Sequence, residues 1–228
     1  MRCNDMMRST NCKIAACLIA AAGVALAAPS AGAQQFSADL VKTAGAMTTP
    51  VGRVRVSDGK ALIETPAFPD GFFLVDAAKP AAWFVRPLGR VFMDARQSSP
   101  LTQMFVPFKL DDPCRQWQAM AQLAAAVDPA TWHCRHDGEE TIAGRMTDVY
   151  RIEASSGLGF VGWVDRARRF PLQVKTADGA VISADHIRDE PQPAQSFEIP
   201  AGTRKFDPQA LIRRIQQSDV WVEPPAAQ

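Results

Sequence analysis

The sequence predicts a mainly β (α+β) fold in which about ten antiparallel strands are covered by one or two helices. Short runs of alternating apolar and polar residues recur within residues 36–94 and 132–187, as in strands with one buried face. Asp58-Gly59 and Asp178-Gly179 separate such runs, and an Asp-Gly dipeptide in that position is a strong signal for a hairpin turn. Apolar residues recur at helical spacing in residues 115–127.

Residues 1–33 have the features of a cleavable signal peptide, with cleavage near Ala33. Basic residues precede an apolar run from Ile14 to Ala28, and the small residues Ala31-Gly32-Ala33 follow it. The run is shorter than the roughly 20 residues that a membrane-spanning helix needs. Ile14-Ala15-Ala16-Cys17 resembles a lipobox, but it begins the apolar run instead of following it. We therefore expect an exported, periplasmic protein without a lipid anchor.

The mature chain is predicted to be one domain, residues 34–217, followed by a C-terminal tail, residues 218–228. Its length suits a single hydrophobic core. Loss of the leader removes three basic residues and one acidic residue, so the net charge changes from +1 to about −1. This charge balance does not attract nucleic acid. We expect no nucleic-acid partner and a monomeric protein.

The first half of the domain is predicted to be a meander of about six strands followed by a helix. The strands are expected at residues 36–41, 53–56, 61–63, 72–76, 82–86 and 90–94. Residues 95–113 break the pattern and predict a loop or a short helical segment. A helix is expected over residues 115–127, because Asp111-Asp112-Pro113 is typical of a helix N-terminus. A terminal helix is expected at Pro208 to Gln217.

Residues 144–197 predict four consecutive antiparallel strands. The apolar face of the first strand consists of Met146, Tyr150, Ile152 and Ala154. Asp148 interrupts this face, and the sequence offers no reason for it. Phe170, Leu172 and Val174 alternate with polar residues or proline in the third strand. Gly157 to Gly162 matches G-x-G-x-x-G, but no helix is expected after it, as a dinucleotide site requires. We interpret these glycines as turn positions before a strand, and we expect no cofactor.

Cys114 and Cys134 remain after the leader is removed, and an even pair in an exported chain predicts a disulfide. His133 and His136 are weak candidate metal ligands, with Cys134 between them and Asp137 beside them. An oxidised cysteine cannot ligate, and residues 133 and 136 of a strand point to opposite faces. We expect no metal site. No catalytic motif is present, and we expect no enzyme activity.

Two clusters of arginine are each open to two interpretations. Arg166, Arg168 and Arg169 form the first cluster, and Arg213-Arg214 forms the second. Each is either a solvated face or a rim that contacts lipid phosphate or an acidic partner protein.

Seven short motifs carry a resemblance to a known family. They are FSAD (residues 36–39), GRVRV (52–56), PLGRVFM (87–93), GRMTDVY (144–150), GWVD (162–165), FPL (170–172) and FEIPAG (197–202). Together they resemble the periplasmic LolA-like lipoprotein-carrier superfamily, and in particular a branch whose domains end in F-x-[IL]-P-x-G. The resemblance implies an unclosed antiparallel β-barrel with helices over its concave side and an apolar cavity for acyl chains. The segment between Cys114 and Cys134 departs from the carrier pattern.

These features lead to the hypothesis of a non-enzymatic periplasmic carrier or binding protein for a lipid or lipoprotein acyl chain. The chain contains more large apolar side chains than a meander with few helices needs. The side chains expected to line the cavity are Trp83, Phe105, Trp117 and Trp163. The alternative is a structural or interaction module of the cell envelope that binds a partner protein on the face of the sheet.

Overall fold

The computed structural model describes residues 34–95, 99–108, 112–124, 131–153 and 159–217. The predicted signal peptide and C-terminal tail lie outside the described residues, as do Ala154 and Gly157. None of the helices in the described ranges has the length and apolar character needed to cross a membrane.

The described residues form one sheet of twelve strands. The strands are β1 Phe36–Ala44, β2 Met47–Ser57, β3 Lys60–Glu64, β4 Phe72–Asp76, β5 Ala81–Arg86, β6 Val91–Asp94, β7 His133–Ile142, β8 Arg145–Glu153, β9 Phe160–Asp165, β10 Phe170–Thr176, β11 Val181–Arg188 and β12 Arg204–Lys205. The helices are α1 Leu101–Met104, α2 Pro113–Ala124 and α3 Pro208–Gln216, and a 3₁₀ helix spans Ala194–Phe197.

The strand order across the sheet is β12-β6-β5-β4-β3-β2-β1-β11-β10-β9-β8-β7. β1 joins the two halves, because it pairs with β2 on one side and with β11 on the other. Pairing is antiparallel throughout, except that β12 runs parallel to β6. β12 and β7 lie at opposite edges, so the sheet does not close. The predicted fold class, a mainly β fold with an unclosed antiparallel sheet and a few helices, is confirmed.

The sheet has twelve strands instead of the predicted number of about ten, and the shortest of them, β12, has no recognisable sequence pattern. β12 has two residues, both exposed, and it forms because the chain after Gly202 runs along β6. Such a strand has no alternation to reveal it, since its only signal is its long-range partner. Gly202 itself adopts a positive φ of 74° at this turn.

The main core lies between one face of the sheet, here called the inner face, and the segment that contains α1 and α2. Phe36 in β1 and Phe170 in β10 meet on this face across the intervening strand β11, with ring centroids 5.2 Å apart. The buried side chains from the covering segment are Leu101, Met104, Phe105, Val106, Phe108, Trp117 and Met120. Burial of these side chains, each contributing about 1.5–3 kcal/mol relative to exposure, holds the helices on the sheet.

The sequence of α2 explains both its start and its orientation. Asp112 precedes the helix, and its Oδ1 accepts a hydrogen bond from the backbone N–H of Arg115 at 3.1 Å. Pro113 occupies the first helical position, where a missing N–H costs nothing. Trp117, Met120 and Ala121 are buried because their spacing places them on one side of the helix. The predicted helix is therefore confirmed over Pro113–Ala124.

Trp117 lies over a gap in β9 that only glycine leaves open. A Cβ atom at Gly162 would lie 2.6 Å from a ring carbon of Trp117. Position 162 is a glycine within a strand because the indole of Trp117 occupies the space that a side chain would need. Gly159 immediately precedes the same strand. Gly162 is thus a strand residue and not, as the sequence predicted, a turn position before the strand, whereas Gly159 does precede β9 and Gly157 lies outside the described residues.

A second, smaller cluster lies on the opposite, outer face of the sheet. Leu62, Leu74 and Val85 are buried there beneath Phe197 of the 3₁₀ helix. The 3₁₀ helix is held by a hydrogen bond that Lys60 Nζ donates to the carbonyl oxygen of Phe197, at 3.3 Å. Strands β3 to β5 are consequently buried on both faces, which the local alternation does not reveal.

Candidate functional site

A pocket of about 260 Å³ opens on the inner face, where the N-terminus of α2 approaches β8 and β9. We call it the mouth pocket. Its lining residues are Phe108, Pro113, Asp148, Tyr150, Val164, Arg166 and Arg169. The floor is aromatic and aliphatic, and the charged side chains belong to β8 and to the turn after β9. An apolar floor with a few polar groups is the usual composition of a ligand site.

The pairing register of β8 with β9 brings the residues of the mouth pocket together. Asp148 pairs with Val164 and Tyr150 pairs with Gly162, so the side chains of Asp148, Val164 and Tyr150 lie on the inner face. The covering segment is tied to the same region, because the backbone N–H of Phe108 donates to the carbonyl oxygen of Arg169 at 2.8 Å. Phe108 in turn contacts Trp117, with ring centroids 4.9 Å apart. The pocket floor is therefore continuous with the aromatic core.

Asp148, which the sequence left unexplained, is the acceptor of an ionic network at the pocket. Arg166 donates to both carboxylate oxygens, with Nε–Oδ2 at 2.7 Å and Nη2–Oδ1 at 2.5 Å. Arg166 also pairs with Glu139, and His136 Nε2 lies 3.0 Å from Asp148 Oδ1. The hydrogen bonds from Arg166 are the main reason that the pKa of Asp148 is lowered, and the bond with His136 adds to the effect.

Tyr150 is the polar group on the pocket floor. Burial raises the pKa of its phenol above the usual value, and the charge of Asp148 acts in the same direction. The phenol is therefore protonated at neutral pH and can donate a hydrogen bond. Its ring also meets Trp117 edge-on, with ring centroids 6.0 Å apart.

The lowered pKa of Asp148 predicts a stability that depends on pH. A carboxyl with a lower pKa in the folded state stabilises the fold above the unfolded pKa of about 3.9. This contribution is lost as the pH falls below that value towards the folded pKa. We expect the wild-type free energy of unfolding to fall more steeply than that of Asp148→Asn between about pH 5 and pH 3, as measured by urea unfolding.

The control for this measurement is Asp185→Asn, which removes an exposed carboxylate from β11. It should keep the wild-type pH dependence. Identical pH profiles for Asp148→Asn and the wild type would show that the network does not stabilise the fold.

The four side chains predicted to line a cavity lie in two different places. Phe105 and Trp117 are on the inner side and are 0% and 1% exposed, and Trp117 Nε1 donates to the carbonyl oxygen of Met104 at 3.0 Å. Trp163 and Trp83 are on the outer face. Trp163 Nε1 donates to Glu140 Oε2 at 2.7 Å, and Trp83 packs against the outer cluster. For all four side chains, the role of lining an acyl cavity stays a prediction.

A shallow groove of about 440 Å³ lies on the outer face beside Trp163, and we call it the outer groove. Its apolar base includes Val149, Val161 and Trp163. Its charged lining residues are Asp137, Glu140, Arg151, Glu153 and Lys175. The outer groove therefore contains three carboxylates and two cations. The mouth pocket is lined by one carboxylate, Asp148, and by the cations Arg166 and Arg169.

The predicted disulfide is present. Cys114, in the first turn of α2, is bonded to Cys134 in β7, with Cα atoms 5.6 Å apart. The bond joins the covering helix to an edge strand of the sheet. Cys134 is therefore not a thiolate ligand for His133 or His136. Within the described residues, no three or more His, Cys, Asp or Glu side chains are grouped to hold a metal ion.

Sequence reasoning named most residues of the mouth pocket without bringing them together. Tyr150 belongs to the apolar face predicted for the first strand of residues 144–197, and Arg166 and Arg169 belong to the first arginine cluster. Pro113 was noted only as a helix start. The missing information was the register of β8 with β9, which no local pattern encodes. Asp148 was the one available signal, because a carboxylate on an apolar strand face requires a partner.

Comparison with known proteins gives structural matches alone. No protein-family model and no curated protein matches the chain. An uncharacterised conserved protein from Thermus thermophilus is 11% identical with a TM-score of 0.43, covering 77% of this chain and 91% of the other. A complex of MucA and MucB from Pseudomonas aeruginosa is 15% identical with a TM-score of 0.36, covering 74% and 56%.

A LolA superfamily protein from Nitrosomonas europaea is 13% identical, covers 72% of this chain and 89% of the other, and has a TM-score of 0.31. All three TM-scores are below 0.5. A LolA superfamily protein is therefore among the solved structures to which this chain is similar.

Proposed function

We propose that this protein is a non-enzymatic periplasmic binding or carrier protein that holds a lipid or lipoprotein acyl chain on the inner face of its sheet. The mouth pocket carries the proposal. Its floor is apolar except for the hydroxyl of Tyr150, with Phe108 and Val164 beside it, and its rim bears Arg166 and Arg169. An amphiphile has the matching arrangement, with an apolar chain beside a polar or anionic end.

The energetics favour an acyl chain over a small polar ligand. Each methylene transferred from water to the floor contributes about 0.8 kcal/mol. The cations at the rim are already engaged, since Arg166 contacts Asp148 and Glu139. These arginines therefore orient the polar end of the bound amphiphile more than they contribute to its binding affinity. Lipid binding thus depends chiefly on the apolar floor.

The interior beyond the floor is occupied by Trp117 in the structure described here. A chain longer than the mouth pocket would extend towards Phe105 and Trp117, and it would displace α2 from the sheet. The predicted lining role of these two residues belongs to such an opened state.

Binding of a fluorescent fatty acid tests the proposal. The wild-type protein should bind the probe, and Tyr150→Glu, which places a carboxylate on the floor, should bind at least roughly tenfold more weakly. Arg151→Glu is the matched control, because residue 151 follows directly in β8 but faces the outer groove. Urea unfolding of each variant confirms that it is folded.

Protein purified from its own cell envelope provides the second measurement. Extraction followed by mass spectrometry should release bound lipid. A ligand-free protein together with no binding of the probe would remove the proposal.

The second candidate is an interaction module, and the outer groove is the observation that favours it. A groove with an apolar base and charges of both signs suits a peptide segment more than an acyl chain. Crosslinking in the envelope separates the candidates. A module would give a stoichiometric protein adduct that Arg151→Glu weakens and Tyr150→Glu leaves intact.

A further inference from the structure

The hairpin between β1 and β2 projects from the sheet and carries no charge at its tip. Residues 43–50 are all exposed, and residues 43–52 contain no Asp, Glu, Lys or Arg. β3 pairs with β2 only from Arg53 onward, so the β2 side of the hairpin extends roughly 15–20 Å beyond β3 at the usual strand rise. On the other side β11 pairs with β1 as far as Thr43, so only the tip around Met47 extends beyond both neighbouring strands. Met47 is 71% exposed. A protruding hairpin in water ordinarily carries charged side chains, and this one carries threonine hydroxyls but no charge.

Two neighbouring connections at the same end of the sheet also expose apolar side chains. Because β1 to β6 are successive antiparallel strands, the β1–β2, β3–β4 and β5–β6 connections all lie at one end. Phe68 in the second connection is 39% exposed, and Leu88 in the third is 91% exposed. With strands about 4.8 Å apart, the three connections form a row roughly 20 Å long. We call this row the apolar tip.

The apolar tip suits a lipid bilayer. Met47 and Leu88 protrude from turns instead of lining a groove, so they can enter the boundary between headgroups and acyl chains. Phe68 lies between them with its ring packed on Phe73 and Phe84. The backbone of the hairpin is paired internally, with Ala44 opposite Met47, and the hydroxyls of Thr43 and Thr48 lie 3.2 Å apart. Inserting it leaves few backbone groups unpaired and buries no charge.

Charges suited to lipid phosphate lie just behind the tip. Lys42 precedes the hairpin tip in β1, and Arg90 follows Leu88 in the third connection. Two carboxylates also lie at this end: Asp70 in the second connection is paired with Arg86, and Asp178 in the β10–β11 turn lies near Lys42. A cation near an anionic membrane surface contributes attraction that decays within a Debye length. The arrangement of apolar side chains in front and cations behind is complementary to a phospholipid surface.

We propose that the apolar tip docks this protein onto a phospholipid membrane surface, with Met47 and Leu88 inserted at the level of the headgroups. This docking site is separate from the mouth pocket, which lies between α2 and strands β8 and β9. It goes beyond the holding of an acyl chain, because it brings the protein to the surface where such chains are found.

Flotation with vesicles of equimolar phosphatidylethanolamine and phosphatidylglycerol tests the proposal. The wild-type protein, purified after export, should float with the vesicles. The double variant Met47→Glu/Leu88→Glu should bind them at least roughly tenfold more weakly. Met146→Glu is the matched control, because Met146 is 54% exposed on the hairpin at the opposite end of the sheet. It should bind the vesicles as the wild type does.

Three outcomes would overturn the proposal. The wild type could fail to bind these protein-free vesicles, the double variant could bind them normally, or Ile212→Glu in the exposed helix α3 could abolish binding instead. The fatty-acid probe keeps the two proposals separate. The double variant should retain the probe, whereas Tyr150→Glu should lose the probe and still bind vesicles.

Discussion

Replacing Trp117 with alanine is expected to lower the free energy of unfolding by about 3–5 kcal/mol, the usual cost of removing a buried tryptophan side chain. The indole is 1% exposed and meets the rings of Phe108 and Phe160 edge-on, with ring centroids 4.9 and 5.2 Å apart. It also covers Gly162. Its removal leaves a cavity at the contact between α2 and the sheet. Urea unfolding followed by circular dichroism measures the loss.

Leu88→Ala serves as the control for Trp117→Ala, because Leu88 is 91% exposed and its truncation should change stability by less than about 0.5 kcal/mol. A loss below about 1 kcal/mol for Trp117→Ala would mean that α2 does not depend on this contact. The result also bears on function. A variant that stays folded but binds the fatty-acid probe more tightly would place Trp117 in the path of the acyl chain.

Removing the disulfide in Cys114→Ala/Cys134→Ala is expected to cost about 3 kcal/mol, as the chain-entropy model predicts for the sequence separation of 20 residues. The bond restrains the unfolded chain, and in the folded state it joins α2 to β7. Its loss should therefore lower the urea midpoint of the whole domain. Urea unfolding of oxidised and reduced protein provides the measurement.

Reduction supplies the internal control for the cysteine variant. Reducing the wild type should reproduce the loss seen in the double variant, whereas a reducing agent should leave the double variant unchanged. Equal stability of oxidised and reduced wild type would contradict the expected contribution.

Much of the fold could be predicted because its signals are local. Asp58-Gly59 forms the β2–β3 hairpin with positive φ angles of 48° and 78°, which these residue types tolerate best. Gly179, with φ of 83°, does the same between β10 and β11. The start of α2 was evident from Asp112 and Pro113, since capping depends on adjacent residues. The disulfide followed from cysteine number and export.

The candidate site was predicted less well because it depends on register and on which face the helices cover. Trp163 and Trp83 alternate with inward-facing neighbours, so both lie on the outer face. A strand pattern shows that two faces differ, but it does not show which face a distant helix will cover. Asp148 was visible as an anomaly, and only the pairing of β8 with β9 placed Arg166 beside it.

The sequence by itself determined that the domain is mainly β, where its hairpins turn, that α2 exists and that Cys114 and Cys134 pair. These features depend on residues that are neighbours in the chain or on simple counting. Tertiary structure alone decided the twelve-stranded order, the mouth pocket and the alignment of Met47, Phe68 and Leu88 at one end. Each of these requires contacts between residues far apart in the chain, and such contacts are fixed by the packing of the whole sheet.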